Sequence, residues 1–160
     1  MKRILFLVPY PLGEAPSQRF RFEQYLEKLE QNNYLFAIQS FLDSRDWRIF
    51  YSRGNLARKG FVLLKGFLKR FLILFRIFSY DYIFIHREVA PVGPPVFEWI
   101  IRWLVRKKII YDFDDSIWLT DQKNEPRLVR LIKWRSKVKK ICRWAHKVSC
   151  GNAYLCAYAS

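Results

Sequence analysis

Apolar residues in this chain come in short unbroken runs rather than in alternation. Four runs stand out: Ile4 to Val8, Tyr34 to Ile38, Tyr82 to Ile85 and Lys108 to Phe113. A fifth, shorter one covers Lys147 to Cys150. Strands of a parallel sheet are buried on both faces and read as continuous stretches of this kind. Between the runs the period lengthens. In Phe20 to Gln31, the residues Phe22, Tyr25, Leu26 and Leu29 share one face, while Glu23, Glu27, Lys28 and Glu30 lie elsewhere, as in an amphipathic helix. Leu56 to Phe78, Val96 to Arg106 and Arg127 to Ala145 are the other helix candidates. Strand alternating with helix predicts an α/β domain: a Rossmann-like open parallel sheet with helices on both faces and every strand end on one rim.

The loops are punctuated accordingly. Pro9, Pro11, Gly13 and Pro16 predict a long loop after the first strand, and Pro91, Gly93, Pro94 and Pro95 another after the third. Gly151-Asn152 reads as a turn with a helix cap, and Ala153 to Ala159 as the first turns of a further helix. A short helix with no strand after it is a poor end for a domain, so residues 1–160 are expected to be one N-terminal domain of something larger. No internal repeat or low-complexity tract interrupts them.

Composition narrows the class. In 160 residues, a hydrophobic fraction of 51% is enough for a core and excludes a disordered chain. The apolar run at Ile4 to Val8 is too short for a signal peptide and is cut by Pro9 and Pro11; no stretch is long enough to span a bilayer. Cys142, Cys150 and Cys156 have neither a disulfide framework's even count nor metal-like spacing, and predict reduced thiols in a cytoplasmic protein with no metal site.

Charge changes the picture most. The formal net charge of +15 predicts anionic partners. At about 100° per residue, Arg58, Lys65, Lys69 and Arg76 share one stripe of the Leu56 to Phe78 helix, with Arg70 off it and almost everything else apolar. Such a helix is either buried between the sheet and a neighbouring domain or lies in a membrane interface with its cations at the headgroups. Arg127 to Lys147 carries nine cations and no acid, interleaved with Trp134 and Trp144. Tryptophan beside cations suits a membrane interface. Phosphates along RNA would use the same cations, but no RNA-binding signature accompanies them, so lipid ranks above nucleic acid. Lys65, Lys69, Arg76, Lys133, Trp134, Lys137 and Lys140 are the expected docking residues, on the inner face of the plasma membrane.

Candidate chemistry sits at the strand ends. Lys108 to Phe113 runs into Asp112, Asp114 and Asp115, and Tyr82 to Ile85 ends at His86, Arg87 and Glu88. Ligands of parallel α/β sheets bind at the carboxyl ends of the strands, so these tips predict a cleft. A carboxylate there can accept hydrogen bonds from hydroxyls or take a proton. It can equally cap the helix after Ser116 or pair with Arg87. Three such acids can also bind magnesium, as in receiver-like domains, although the acids follow the fourth strand rather than the first.

Five motifs in order carry a resemblance over nearly the whole chain: Pro9-Tyr10-Pro11, then Pro16-Ser17-Gln18-Arg19-Phe20-Arg21, then Asp81 to Glu88, then Tyr111-Asp112-Phe113-Asp114-Asp115, then Gly151-Asn152-Ala153-Tyr154-Leu155. This order resembles the N-terminal domain of bacterial glycosyltransferases, nearest to family 4, the retaining enzymes of GT-B fold. The resemblance implies an acceptor-binding domain facing a C-terminal domain, outside this sequence, that holds a nucleotide-sugar. The sugar passes with retention to a cell-envelope glycan or lipid-linked acceptor, with no metal or other cofactor.

It also implies roles. Ser17, Arg19 and Arg21 would line the acceptor side, where an arginine pairs bidentately with phosphate; the other reading makes Arg19 and Arg21 solvated cations at a helix start, where the dipole disfavours them. His86, Glu88 and Asp112 would contact the acceptor. Asp114 and Asp115 stand near where many relatives carry a histidine that touches the sugar, and are the catalytic candidates. Gly13, Gly151 and Asn152 would border the cleft or the domain interface, with a pure capping role open for Asn152. The glycine-rich turn of the family is reduced to Gly13, and Gly-x-Gly-x-x-Gly is absent. Since the family's donor-binding residues belong to the other domain, these residues alone are not expected to transfer sugar. The rival reading is a non-enzymatic basic module that docks on membranes or polyanions.

Overall fold

The computed structural model describes residues 1–119 and 133–159. Five strands form one sheet: β1 (Lys2–Val8), β2 (Tyr34–Ser40), β3 (Tyr82–His86), β4 (Lys108–Phe113) and β5 (Lys147–Cys150). Their order is β2-β1-β3-β4-β5, and all neighbours are parallel. The chain leaves β1 toward β2 and then crosses back past β1 to β3. Right-handed crossovers put the first connection on one face of the sheet and the later ones on the other. The expected α/β architecture is therefore present, with helices on both faces.

Strand alternation sorts the core into two layers. Ile4, Phe6 and Val8 pack with Phe22, Leu26 and Leu29 on one face. Leu5, Leu7, Ile83, Ile85, Ile109, Tyr111 and Phe113 pack with Ile101, Val138, Ile141 and Leu155 on the other.

The first connection departs from the single helix expected at Phe20 to Gln31. Helix α1 spans Pro16–Arg21, a short 3-10 turn covers Glu23–Tyr25, and α2 spans Leu26–Gln31. Pro16 opens α1 because its fixed φ and missing N–H suit a first turn. The helix breaks at Phe22 (φ −144°), whose ring turns inward to lie 5.3 Å from Phe6. Burying that ring outweighs continuing the helix.

Helix α3 (Ser44–Tyr51) was not expected; Asp43 caps it by accepting from the Asp46 N–H at 2.8 Å. Helix α4 covers Leu56–Leu74, and α5 (Val96–Trp99) runs on into a π turn at Ile100–Leu104. Helix α6 is Lys137–Trp144, shorter than the expected Arg127 to Ala145: Trp134 has φ 47°, outside helical space, and residues 127–132 lie outside the described residues. Helix α7 is Ala153–Ala159.

One side of α4 is buried and the other is not. Val62, Gly66 and Arg70 face inward. A Cβ on Gly66 would stand 2.3 Å from the Phe41 ring, so only glycine lets the helix close on Phe41. Arg70 is wholly buried and donates to three main-chain carbonyls: Nη2 to Val8 at 2.7 Å, Nη1 to Gln39 at 2.8 Å and Nε to Val89 at 2.8 Å. Its Nη1 also reaches Gln39 Oε1 at 2.8 Å. Burial pushes this guanidinium down to about 9, against the opposing pull of Glu98. The side chain ties the ends of β1 and β2 to the loop after β3.

Candidate functional site at the strand tips

His86 ends β3. Its register partner on β4 is Asp112, and the partner of Asp112 on β5 is Ser149. The three form a row across the sheet on the side covered by α1. Ser17 and Arg21, four residues apart and so on one face of α1, point into this row. Ser17 Oγ lies 3.0 Å from His86 Nε2, and His86 Nδ1 lies 2.8 Å from Asp112 Oδ2. Arg21 Nε donates to both Asp112 oxygens at 3.1 and 3.3 Å; its Nη2 donates to Asp112 Oδ1 as well, and to Ser149 Oγ at 2.9 Å.

Electrostatics fix the donors. Burial pushes the Asp112 carboxyl up, but hydrogen bonds from His86 and Arg21 and their charge prevail, so it sits below the ordinary carboxylate range. An ionised carboxylate only accepts, so His86 Nδ1 carries a proton. Its Nε2 shares the hydrogen bond with the Ser17 hydroxyl. A hydroxyl, an imidazole and a carboxylate in this order can activate a nucleophile. Here Arg21 balances Asp112, and His86 has no exposed surface. The row pins α1 to the strand tips and forms the floor beneath them.

A cavity of about 420 Å³ opens beside this row, lined among others by Tyr10 after β1, Arg87 and Glu88 after β3, Asp115 and Ile117 after β4, Phe50 and Tyr51 of α3, and Lys133, Arg135 and Lys137. Beta-strand order makes its position meaningful. The chain reverses direction between β1 and β3, and a sheet of this order binds its ligand at that switch point. Arg87 turns the chain into the cavity at φ 62°, a left-handed conformation rare for arginine. Three bonds hold it there: its N–H donates to the Asp112 carbonyl at 2.8 Å, its carbonyl accepts from Tyr111 Oη at 2.7 Å, and Glu88 N–H donates to the His86 carbonyl at 2.7 Å. Strain of this kind persists only where surrounding structure enforces it.

Several expected site residues sit elsewhere or do something else. Arg19 is exposed and outside the network. Because α1 starts at Pro16, Arg19 and Arg21 lie in its last turn, where the helix dipole favours cations; the idea of an unfavourable helix start is overturned. The three acids diverge. Asp112 is committed to His86 and Arg21. Asp115 is exposed, accepts from the Ser116 N–H at 2.7 Å and stands 3.6 Å from Arg87. Asp114 is half-buried, and its Oδ1 has no hydrogen-bond partner among the described residues. Among the described residues no group of three His, Cys, Asp or Glu side chains is placed to hold a metal ion, so the magnesium reading finds no support there.

Gly151 packs on the Asp114 backbone, where a Cβ would stand 3.0 Å from Asp114 Cα. Asn152 caps α7, accepting from the Leu155 N–H at 2.9 Å. Gly13 donates to Glu23 Oε2 at 3.0 Å and does not line the cavity. Lys137 cannot dock on a membrane: it is almost wholly buried, bonded to Glu88 Oε2 and to the Ala90 carbonyl, each at 2.7 Å. Lys65 is held by Asp43 at 2.6 Å and Asp46 at 2.8 Å.

One residue of the site was overlooked. Gln18 is wholly buried; its Oε1 accepts from the Tyr10 N–H at 3.0 Å and its Nε2 donates to the Tyr10 carbonyl at 3.1 Å, fixing the loop that presents Tyr10. Its signal was a polar residue at an inward helical position, between Ala15 and Phe22 at spacings of three and four. No protein-family model matches the chain, and no curated protein matches it.

Proposed function

We propose that this chain is the acceptor-binding half of a retaining glycosyltransferase, which moves a sugar from a nucleotide-sugar to a cell-envelope glycan or lipid-linked acceptor. The observation that carries the reading is the cavity at the β1/β3 switch point, which Tyr10, Phe50 and Tyr51 line together with Arg87, Lys133 and Arg135. Cations there offer charge-assisted hydrogen bonds to phosphate, and aromatic walls supply an apolar surface around a few placed polar groups. The five ordered motifs support the same class. In this reading Arg87 and Glu88 meet the acceptor, while Ser17, Arg21, His86 and Asp112 position them from below. The donor would be held by a second domain. The work would be done from the cytoplasm, on the inner face of the plasma membrane; no described helix is long and apolar enough to cross that membrane.

Titration with a polyprenyl-phosphate-linked sugar in micelles, and separately with nucleotide-sugars, tests the proposal. Saturable binding of the first alone is expected. Arg87→Asn removes the cation yet suits the left-handed backbone, and should weaken binding by about tenfold, or about 1.4 kcal/mol. Equal affinity in wild type and variant, or binding of the nucleotide-sugar alone, would sink it. The rival reading, a non-enzymatic basic module, draws on the exposed apolar side of α4 and is favoured if the cavity binds no sugar.

A further inference from the structure

The solvent-facing side of α4 has the wrong chemistry for solvent. Phe61, Leu64, Leu68, Phe71, Leu72 and Phe75 are each between 53% and 68% exposed. On a helical projection they fall within an arc of about 100°. They are therefore one continuous face, not scattered apolar residues of the kind every surface has. The inward side is apolar too, with Val62 buried there and Phe67 and Ile73 packed on the core, and it also carries Gly66 and Arg70. Along one flank of this face, within the next ~60°, lie Arg58, Lys65, Lys69 and Arg76. Lys65 is spent on Asp43 and Asp46, and Lys69 stands 3.8 Å from Asp43. Arg58 and Arg76 are exposed and have no acidic partner among the described residues.

A groove of about 610 Å³ adjoins the same flank, between α3 and the start of α4. Arg45 and Arg58 line it beside Ile49 and Phe61. Arg45 is likewise exposed and unpaired among the described residues. Guanidinium groups thus sit at the border of an apolar face, where phosphate headgroups border acyl chains.

We propose that the Phe61–Phe75 face of α4 docks on an anionic phospholipid bilayer, with the apolar stripe among the acyl chains and Arg45, Arg58 and Arg76 on headgroup phosphates. Charge selects this occupant. A second copy of the chain would set one +15 protein, and one row of arginines, against another. An anionic lipid surface attracts both the row and the whole molecule, and a helix with an apolar face beside cations is what such an interface binds. Helix α3 connects this face to the cavity: Ile49 lines the groove, and the next two residues, Phe50 and Tyr51, line the cavity. Docking would hold the cavity mouth close to the lipid surface. The surface proposal stands apart from the glycosyltransferase reading, because flotation does not depend on what the cavity binds.

Flotation on phosphatidylcholine vesicles and on phosphatidylcholine–phosphatidylglycerol vesicles, at low and high salt, is the test. The wild-type chain should float with the mixed vesicles, and high salt should weaken but not abolish binding. The double variant Leu64→Glu/Leu68→Glu alters only the outer face and should keep the wild-type melting temperature, yet lose at least about tenfold in binding. Arg58→Gln/Arg76→Gln should still bind weakly and lose the preference for phosphatidylglycerol. Wild-type protein that stays at the bottom of the gradient overturns the proposal, as does a double variant that floats unchanged. Sedimentation velocity tests a second copy as the occupant. A wild-type dimer that the Leu64→Glu/Leu68→Glu variant splits into monomers means that a second copy covers the face, and the proposal fails.

Discussion

His86 and Asp112 sit opposite each other in register on adjacent parallel strands, and their side chains are bonded at 2.8 Å with almost no solvent contact. Arg21 closes the other side of the carboxylate from α1. Asp112 therefore joins two strands and a helix through one ionised group.

Asp112→Asn keeps the size but loses the charge. Breaking a buried, hydrogen-bonded pair of this kind should cost about 3 kcal/mol, measured by urea unfolding near neutral pH. The sign of the pH dependence follows from the lowered carboxyl. The unfolded chain binds more protons at this position than the folded one, so stability rises with pH and is lost as pH falls through the ordinary carboxylate range, about 4, toward the lower folded value. The gap between wild type and Asp112→Asn should narrow over that window. A gap that is constant with pH would show that the carboxylate charge is not what matters.

Two residues of α1 separate anchor from bystander. Ser17→Ala removes the hydroxyl on His86 and should cost about 1 kcal/mol. Arg19→Ala, on the exposed side, should stay within about 0.5 kcal/mol of wild type. Equal losses in thermal unfolding would refute the division.

Gly66→Ala sets two effects against each other. In an open helix the change gains about 1 kcal/mol. Here the new methyl group meets the ring of Phe41, which is itself buried and has nowhere to move. Overpacking should win, with a net loss of about 1–3 kcal/mol. Adding Phe41→Leu should recover part of it, and a stabilised single variant would mean that α4 does not close on Phe41.

The thiols differ in reach. Burial pushes Cys142 up to about 11 and Cys150 up to about 12, and Cys156 is exposed. The thiolate is the reacting form, so native protein at neutral pH should be alkylated at Cys156 well before the other two. Peptide mass analysis of a time course checks this; Cys142 reacting as fast as Cys156 would show that its packing opens.

Sequence and structure agree best on the strands. β4 and β5 have the bounds that their runs indicated, although each begins on an exposed lysine and β5, at the sheet edge, is otherwise only half-buried. Agreement stops where a tertiary contact decides. The periodicity of Phe20 to Gln31 passes smoothly through Phe22, yet the core takes that ring and breaks the helix. Helix α3 was missed although Asp43 and Asp46 spell a capping pattern, since its eight residues crowd their apolar side chains into the last five and show no helical period. At the site, the nearness of His86 and Asp112 was legible because both end neighbouring strands. That Lys137 turns inward from its basic run was not, because a row of like charges does not say which one meets Glu88. On α4 hydrophobicity alone misleads: apolar residues line both sides, and the buried side is the one that also holds a glycine and an arginine.

The grip of Arg70 on the carbonyls of Val8, Gln39 and Val89 makes α4 a lever rather than a cover. Its guanidinium joins the helix to three segments, and those of Val8 and Val89 run within two residues to Tyr10 and Arg87. The helix with the exposed apolar side and the loops at the mouth of the cavity thus share one buried anchor.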